Sequence, residues 1–209
     1  MKILIADDHA IVREGIKQIL KTLEDVSIID ESSDGIDAFS KILKVGYDLV
    51  ILDISMPGLT GLDILQKMRD KNIKSKVLIL SLHPQEQYAV RTFKLGALGY
   101  LSKNTAFEEL NLAITKIVEG GKYVSADLAE KVLFNDFEKD EKPIHEPLSE
   151  REFQAMLLFA KGKTGKEIAQ EMFISDKTVS TYRVRILKKM GMKYNADLTL
   201  YAIKNNLIQ

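Results

Sequence analysis

The stretch Leu49-Val50-Ile51-Leu52-Asp53, followed by Ile54-Ser55-Met56-Pro57-Gly58, joins a continuous apolar run to an aspartate and then to a turn signal. Such a run, bounded by turn residues, is typical of a strand buried on both faces, as in parallel sheets. Asp53 then lies at the carboxyl end of the strand, the edge where open α/β sheets bind ligands. Because packing gives no reason for a carboxylate here, the stretch predicts a functional site centred on Asp53.

Apolar runs and helical patterns alternate along the first 119 residues. Strict alternation predicts a doubly wound α/β fold, in which five parallel strands form one sheet with helices on both faces. Because crossovers between parallel strands are right-handed, the carboxyl ends of these strands are expected to meet at one edge. The expected strands are Lys2–Ala6, Val26–Ile29, Leu49–Asp53, Lys76–Ser81 and Gly99–Lys103.

Length and charge distribution predict two domains in the 209 residues. The formal net charge is zero, but residues 148–209 carry 11 Lys or Arg and 6 Asp or Glu, so an anionic partner is expected for this part alone. The predicted boundaries are 1–121 for the α/β domain, 122–147 for a linker with a short helix after Ser125, and 148–209 for a helical domain. The charged, proline-containing residues 135–147 indicate the linker.

Several classes of protein are excluded by composition. The chain contains no cysteine, so disulfides, cysteine-based zinc sites and cysteine nucleophiles are ruled out. No apolar run approaches the roughly 18–20 residues needed to span a bilayer, and the apolar start Met1–Ala6 is too short for a signal peptide. We therefore expect a cytoplasmic protein with no membrane partner.

Polar residues follow four of the predicted strands. Asp7 and Asp8 come after the first strand, Asp53 ends the third, Ser81 ends the fourth, and Lys103 ends the fifth. Clustered carboxylates repel each other unless a cation neutralises them, and Mg²⁺ prefers carboxylates together with water and phosphate. An aspartate beside a metal and a lysine can attack a phosphoryl group to give an acyl phosphate. The residues therefore predict a magnesium site that accepts a phosphoryl group.

Residues 1–119 resemble the receiver domain of response regulators, which has a flavodoxin-like fold. The resemblance implies that Asp53 accepts a phosphoryl group from a sensor histidine kinase and that Lys103 is the lysine of the family's site. It also implies that Ser81 moves to bond a phosphoryl oxygen while the aromatic ring of Tyr100 turns inward. The implied Mg²⁺ ligands are Asp8, Asp53 and the backbone carbonyl of Ser55, with Asp7 acting through water.

The basic region is predicted to be all-α, with no strand pattern. Ser149, followed three residues later by Glu152, is a capping box that begins a helix. The short connection Met172–Ile174 has the spacing of a helix-turn-helix motif. The second helix of such a motif enters the major groove of DNA. The four expected helices are about 149–161, 164–171, 175–190 and 195–206.

Four short motifs in this region are Arg151-Glu152, Lys166-Glu167-Ile168-Ala169, Ile174-Ser175 and Thr178-Val179. On these motifs, Leu148–Leu207 resembles the LuxR-type helix-turn-helix domain, and the whole chain is similar to response regulators of the NarL/FixJ type. The resemblance implies a homodimer on double-stranded DNA and a contact with RNA polymerase. The implied dimer residues on the last helix are Leu200 and Lys204.

The second helix of the motif supplies most of the expected DNA contacts. Its basic side chains are expected to bind phosphates, which position the helix but carry no sequence information. The candidates for base edges are Ser180, Thr181 and Val184. The other expected DNA-binding residues are Lys166, Lys177, Thr178, Tyr182, Arg183, Arg185, Lys188 and Lys189.

Other functions share the acidic edge. A Mg²⁺-dependent phosphatase with Asp53 as nucleophile usually has a second acid two residues later, where this chain has Ser55. A dinucleotide-binding protein needs a Gly-rich phosphate loop after the first strand, where this chain has Asp7-Asp8-His9. DNA binding without phosphorylation is disfavoured by the complete acidic site. We therefore expect a regulator that catalyses only its own phosphotransfer and dephosphorylation, with His9 as a surface residue that begins a helix.

Overall fold

A computed structural model describes residues 1–23, 25–81, 85–104, 106–125, 129, 143–205 and 207–208. Its chain divides into two compact units, Met1–Glu138 and Lys139–Gln209. The helix expected after Ser125 covers residues 126–134, which lie outside the described residues except for position 129. Within the described ranges, the helices are too short or too polar to cross a membrane.

The first unit alternates strands and helices, as predicted. Its elements are β1 (Lys2–Ala6), α1 (Ala10–Leu20), β2 (Ile28–Ser32), α2 (Gly35–Val45), β3 (Leu49–Asp53), α3 (Gly61–Asp70), β4 (Lys76–Ser81), α4 (Gln85–Leu95), β5 (Gly99–Ser102), α5 (Ala106–Val118) and β6 (Tyr123–Val124). The strands form one parallel sheet in the order β2-β1-β3-β4-β5-β6. The predicted doubly wound α/β fold is therefore confirmed.

The central strand β3 is buried along its whole length. Parallel strands on either side satisfy its backbone, and helices cover both faces, so an unbroken apolar run is stable here. One core lies between the sheet and helices α1 and α5. Its fully buried members include Ile3, Ile5, Ile16, Leu20, Ile51, Leu78, Leu110 and Ile114.

Two details of the predicted sheet are wrong. The sheet has six strands and not five, because the two-residue strand β6 pairs with Gly99 and Tyr100 of β5. A run of two residues shows no periodicity, and Gly120-Gly121 indicated the end of the unit. Strand β2 is Ile28–Ser32 and not Val26–Ile29, because an edge strand is only partly buried and tolerates polar residues.

The second unit is all-α, as predicted. Its helices are α6 (Glu150–Ala160), α7 (Gly165–Glu171), α8 (Asp176–Met190) and α9 (Asn195–Lys204). The predicted capping box begins α6: the Ser149 hydroxyl accepts the Glu152 N–H, and the Glu152 carboxylate accepts the Ser149 N–H. Phe173, in the turn between α7 and α8, has a φ of 53°. This left-handed conformation lets the two helices follow each other with four residues between them.

Gly61, the first residue of α3, allows a close approach to the strand that carries Asp53. A Cβ at Gly61 would lie 2.3 Å from the Asp53 carbonyl oxygen, so we expect Gly61→Ala to destabilise the first unit by about 2 kcal/mol through overpacking. Gly165, the first residue of α7, is the matched control, because a Cβ there meets no atom within 4 Å. Gly165→Ala should stabilise the second unit by about 0.5 kcal/mol.

Hydrogen exchange followed by mass spectrometry would measure the local stability of each unit separately in the full chain. A loss of protection around Asp53 with no loss near Gly165 is expected for Gly61→Ala. The steric explanation fails if both alanine variants change protection in the same direction.

Candidate functional site

The carboxyl edge of the sheet holds two buried aspartates on either side of one lysine. Lys103 Nζ lies 2.8 Å from Asp53 Oδ2 and 2.6 Å from Asp7 Oδ2. The three side chains are at most 5% exposed. They meet because β1 and β3 are neighbours and Lys103 follows β5 at the same edge. The sequence-predicted cluster is therefore assembled, while its role in phosphoryl transfer stays a prediction.

The charges of this cluster are unevenly balanced. Burial raises the pKa of Asp53 to about 6; Lys103 opposes this shift and the Asp7 carboxylate adds to it. Burial by itself would lower the pKa of Lys103, but Asp53 and Asp7 together hold it above its ordinary value. The lysine is therefore a firmly charged ammonium, and two carboxylates share it.

Oxygen ligands for a divalent cation converge beside the lysine. Ligand atoms of Asp7, Asp8, His9 and Asp53 all lie within 4.8 Å of one another. Asp8 Oδ1 is buried, and His9 Nδ1 lies 2.6 Å from it. Three clustered carboxylates beside one lysine are an arrangement that a hard cation would complete. The donor set therefore fits a divalent cation of the Mg²⁺ class.

His9 has a position close to the one predicted. It is the N-cap of α1, with a side chain that is 55% exposed, which matches the expected residue at a helix start. Its Nδ1 also lies 3.1 Å from Asp7 Oδ1 and 2.6 Å from Asp8 Oδ1. This closeness to both acids was not expected from the sequence.

The remaining predicted site residues lie on the same edge. Ser81 and Tyr100 are fully buried, and their hydroxyls are hydrogen-bonded to each other. Tyr100 thus already points inward, whereas the resemblance implied that its ring turns inward only upon phosphorylation. The backbone N–H of Ser55 donates to Asp53.

One residue of the site was missed in the sequence. Arg13, on α1, donates from Nη1 to the Asp7 carbonyl at 2.8 Å and from Nε to Glu31 at 3.3 Å. Its sequence signal is weak, because an arginine in an amphipathic helix is usually a solvated residue and Glu31 lies on another strand.

Helix α8 of the second unit has one buried side and one exposed side. Its apolar residues Val179, Ile186, Leu187 and Met190 are buried, as predicted. The predicted base-edge residues lie on the exposed side, where the Val184 side chain is 63% exposed. The exposed predicted contacts on or before α8 are Lys166, Lys177, Ser180, Thr181, Val184, Arg185, Lys188 and Lys189, while Thr178, Tyr182 and Arg183 are partly buried.

Two of the predicted phosphate contacts have partners inside the unit. Arg183 Nε donates to Asn195 Oδ1 at 2.8 Å. Lys189 Nζ lies 2.5 Å from Glu152 Oε2, whose side chain is 3% exposed. Burial by itself would raise the pKa of Glu152, but the hydrogen bonds from Lys189 and Ser149 outweigh it and lower the pKa. Lys189 therefore neutralises a buried carboxylate.

Comparisons with known proteins agree with both halves of this geometry. The family model of the response regulator receiver domain matches residues 3–115. The model of the luxR family of bacterial regulatory proteins matches residues 146–202. This chain is a response regulator of the NarL/FixJ type. It combines a receiver domain with a LuxR-type DNA-binding domain and is a DNA-binding transcriptional regulator of a two-component system.

Several relatives match this chain over nearly its whole length. The oxygen regulatory protein NreC of Staphylococcus aureus is 37% identical over the full length of both chains. RcsB of Salmonella enterica serovar Typhimurium, solved on the rprA promoter with the phosphomimetic BeF₃⁻, is 25% identical with a TM-score of 0.67, covering 96% of this chain and 97% of that one. ChrA of a heme-sensing two-component system is 28% identical with a TM-score of 0.52, covering 99% and 98%.

The pKa of Asp53 predicts a pH dependence of receiver stability. Because this pKa rises from 3.8 to about 6 on folding, the folded state holds the proton more tightly, and stability falls as the pH rises between these values. With EDTA present at about pH 7.5, Asp53→Asn should raise the free energy of unfolding by about 3 kcal/mol, and the gain should vanish below about pH 4. The exposed Asp25→Asn is the control. A pH-independent difference between Asp53→Asn and the wild type would contradict this assignment.

The ion pair between Lys189 and Glu152 predicts different effects of two neighbouring lysines. Lys189→Met should destabilise the second unit by about 1 kcal/mol, discounted for the partial exposure of the lysine. Because the pKa of Glu152 is lowered, this contribution is present above pH 4.5 and is lost as the pH falls. Lys188→Met, on the exposed side, should leave stability unchanged and weaken DNA binding. Urea unfolding measures the stability of each variant, and DNA titration measures its affinity for DNA. Equal losses of stability in Lys189→Met and Lys188→Met would refute the predicted difference.

Proposed function

We propose that this response regulator is phosphorylated on Asp53 by the phosphohistidine of a sensor histidine kinase. The observation that supports this most is the buried Asp53 carboxylate beside Lys103 at the carboxyl edge of the sheet. In the transfer, an Asp53 oxygen attacks phosphorus, the bond between phosphorus and the kinase imidazole nitrogen breaks, and an acyl phosphate forms. The Lys103 ammonium then pairs with a phosphoryl oxygen.

Mg²⁺ is the proposed cofactor of this transfer. It would be held by Asp8, Asp53 and the backbone carbonyl of Ser55, with Asp7 acting through water. When bound, Mg²⁺ neutralises the charge on the transferring oxygens. The close grouping of the Asp7, Asp8 and Asp53 carboxylates, with Lys103 as their shared ammonium, supports this choice.

The proposed switch consists of Ser81 and Tyr100. Their hydroxyls bond each other, so Ser81 would exchange this bond for one to a phosphoryl oxygen. Since Tyr100 is already buried, phosphorylation would stabilise an inward ring rather than draw it in. The result is a population shift between two arrangements of the receiver surface.

The proposed output is a homodimer on double-stranded DNA in the cytoplasm. Helix α8 would enter the major groove with its exposed side, with two half-sites about one helical turn apart. The promoter complex of RcsB supports this mode of binding. The exposed side chain of Leu200 on α9 supports a dimer contact there, together with Lys204. RNA polymerase would be the partner at the promoter.

We also propose that catalysis is limited to the chain's own phosphotransfer and dephosphorylation. Ser55 stands where a phosphatase of this kind would carry its second acid. Turnover of phosphomonoesters by the purified protein would contradict this.

Phosphorylation by acetyl phosphate tests the main proposal. With Mg²⁺ present, the wild type should form a hydroxylamine-sensitive adduct and bind DNA selected from a random pool about tenfold more tightly. Asp53→Asn should form no adduct and show no gain in affinity, while the exposed Asp25→Asn should behave as the wild type. Phosphate-affinity gels and DNA titrations measure the two effects.

Each result decides one part of the proposal. An adduct on Asp53→Asn would move the phosphoacceptor elsewhere. A wild-type adduct without a change in DNA affinity would separate phosphorylation from DNA binding.

A further inference from the structure

Arg13 connects helix α1 with the acidic edge of the sheet. Its side chain is 16% exposed, although it carries a charge. Nη1 donates to the backbone carbonyl of Asp7 at 2.8 Å, and Nε donates to the Glu31 carboxylate of β2 at 3.3 Å. The guanidinium therefore ties α1 and β2 to the segment that carries the two acids.

The backbone of Asp7 is held on both sides. Its N–H donates to the Ser32 carbonyl at 3.1 Å, and its carbonyl accepts from Arg13. The Asp7 carboxylate also accepts the His9 N–H at 2.9 Å through Oδ1. Because the peptide between Asp7 and Asp8 is planar, a fixed Asp7 carbonyl fixes the positions of the Asp8 N–H and Cα, from which the Asp8 carboxylate is presented.

We propose that Arg13 is a positioning residue for divalent-cation binding at Asp8 and Asp53. This inference rests on the proposed cation site. Arg13 touches neither the cation nor the phosphoryl group; it orients the peptide that presents Asp8. Partners that orient metal ligands in this way commonly change metal affinity by about 10–100-fold when removed.

A purely structural role for Arg13 is the competing explanation. Removing Lys17 distinguishes this role from positioning of the cation site. Lys17, one turn further along α1, also pairs with Glu31. Among the described residues, Lys17 pairs with Glu14 and Glu31, whereas Arg13 also bonds the Asp7 carbonyl. If Arg13 served only to anchor β2 through Glu31, removing Lys17 would have the same effect on the cation site.

Isothermal titration of Mg²⁺ into the full chain is the direct test. Arg13→Met keeps the apolar stem and should raise the Mg²⁺ Kd about tenfold. Arg13→Lys keeps the positive charge but lacks the planar guanidinium fork and should restore part of the affinity, while Lys17→Met should keep the wild-type Kd. With acetyl phosphate, Arg13→Met should need more Mg²⁺ for its half-maximal rate but reach a rate within about twofold of the wild type at saturation.

The outcomes also separate this inference from the proposed function. A wild-type Mg²⁺ Kd in Arg13→Met, or an equal loss in Lys17→Met, overturns the inference and leaves the phosphoacceptor standing. Absence of Mg²⁺ binding by the wild type, with no Asp53 adduct, overturns both. If Arg13→Met fails to fold, Arg13→Lys decides the question: its ammonium lacks the planar fork that reaches the Asp7 carbonyl and Glu31 from two nitrogens, so a wild-type Kd in this variant would overturn the inference.

Discussion

The ammonium of Lys103 between Asp53 and Asp7 is the interaction on which the receiver site depends. Two buried carboxylates repel each other in a medium of low dielectric, and one cation cannot neutralise both. With Asp8 beside them, three acids face one lysine. The parallel sheet holds this excess of negative charge in place, because the carboxyl ends of β1, β3 and β5 cannot move apart without breaking the strand ladder. A site with this charge attracts cations before any phosphoryl group arrives.

This arrangement has a thermodynamic cost that other contacts offset. The raised pKa of Asp53 means that folding disfavours the charged form of this carboxyl group. Gly61 lets α3 approach the Asp53 carbonyl, and Arg13 supplies a bond to the Asp7 carbonyl. Local backbone contacts thus keep a poorly solvated carboxylate where the proposed phosphotransfer requires it. Sites that conflict with stability in this way are expected where function requires them.

The sequence predicts what depends on local pattern and on the topology of parallel sheets. Strand β3 was predictable from its apolar run, and the convergence of Asp53 with Lys103 followed from right-handed crossovers. The contact between Arg13 and Asp7 was not, because a guanidinium on a helix can point to solvent or to the sheet with the same periodicity. Strand β6 exists only through its pairing with β5, so its two residues carry no pattern of their own.

The two units each hold a buried carboxylate beside a lysine, and the pKa of one is raised while that of the other is lowered. Glu152 has Lys189 as its own cation and accepts the Ser149 N–H in the capping box, so its pKa is lowered. Asp53 shares Lys103 with a second acid, and its pKa is raised. Both side chains are 3% exposed, and a lysine is present in both cases. For Asp53, burial raises the pKa most and the second acid adds to this shift, whereas the hydrogen bonds to Glu152 outweigh its burial.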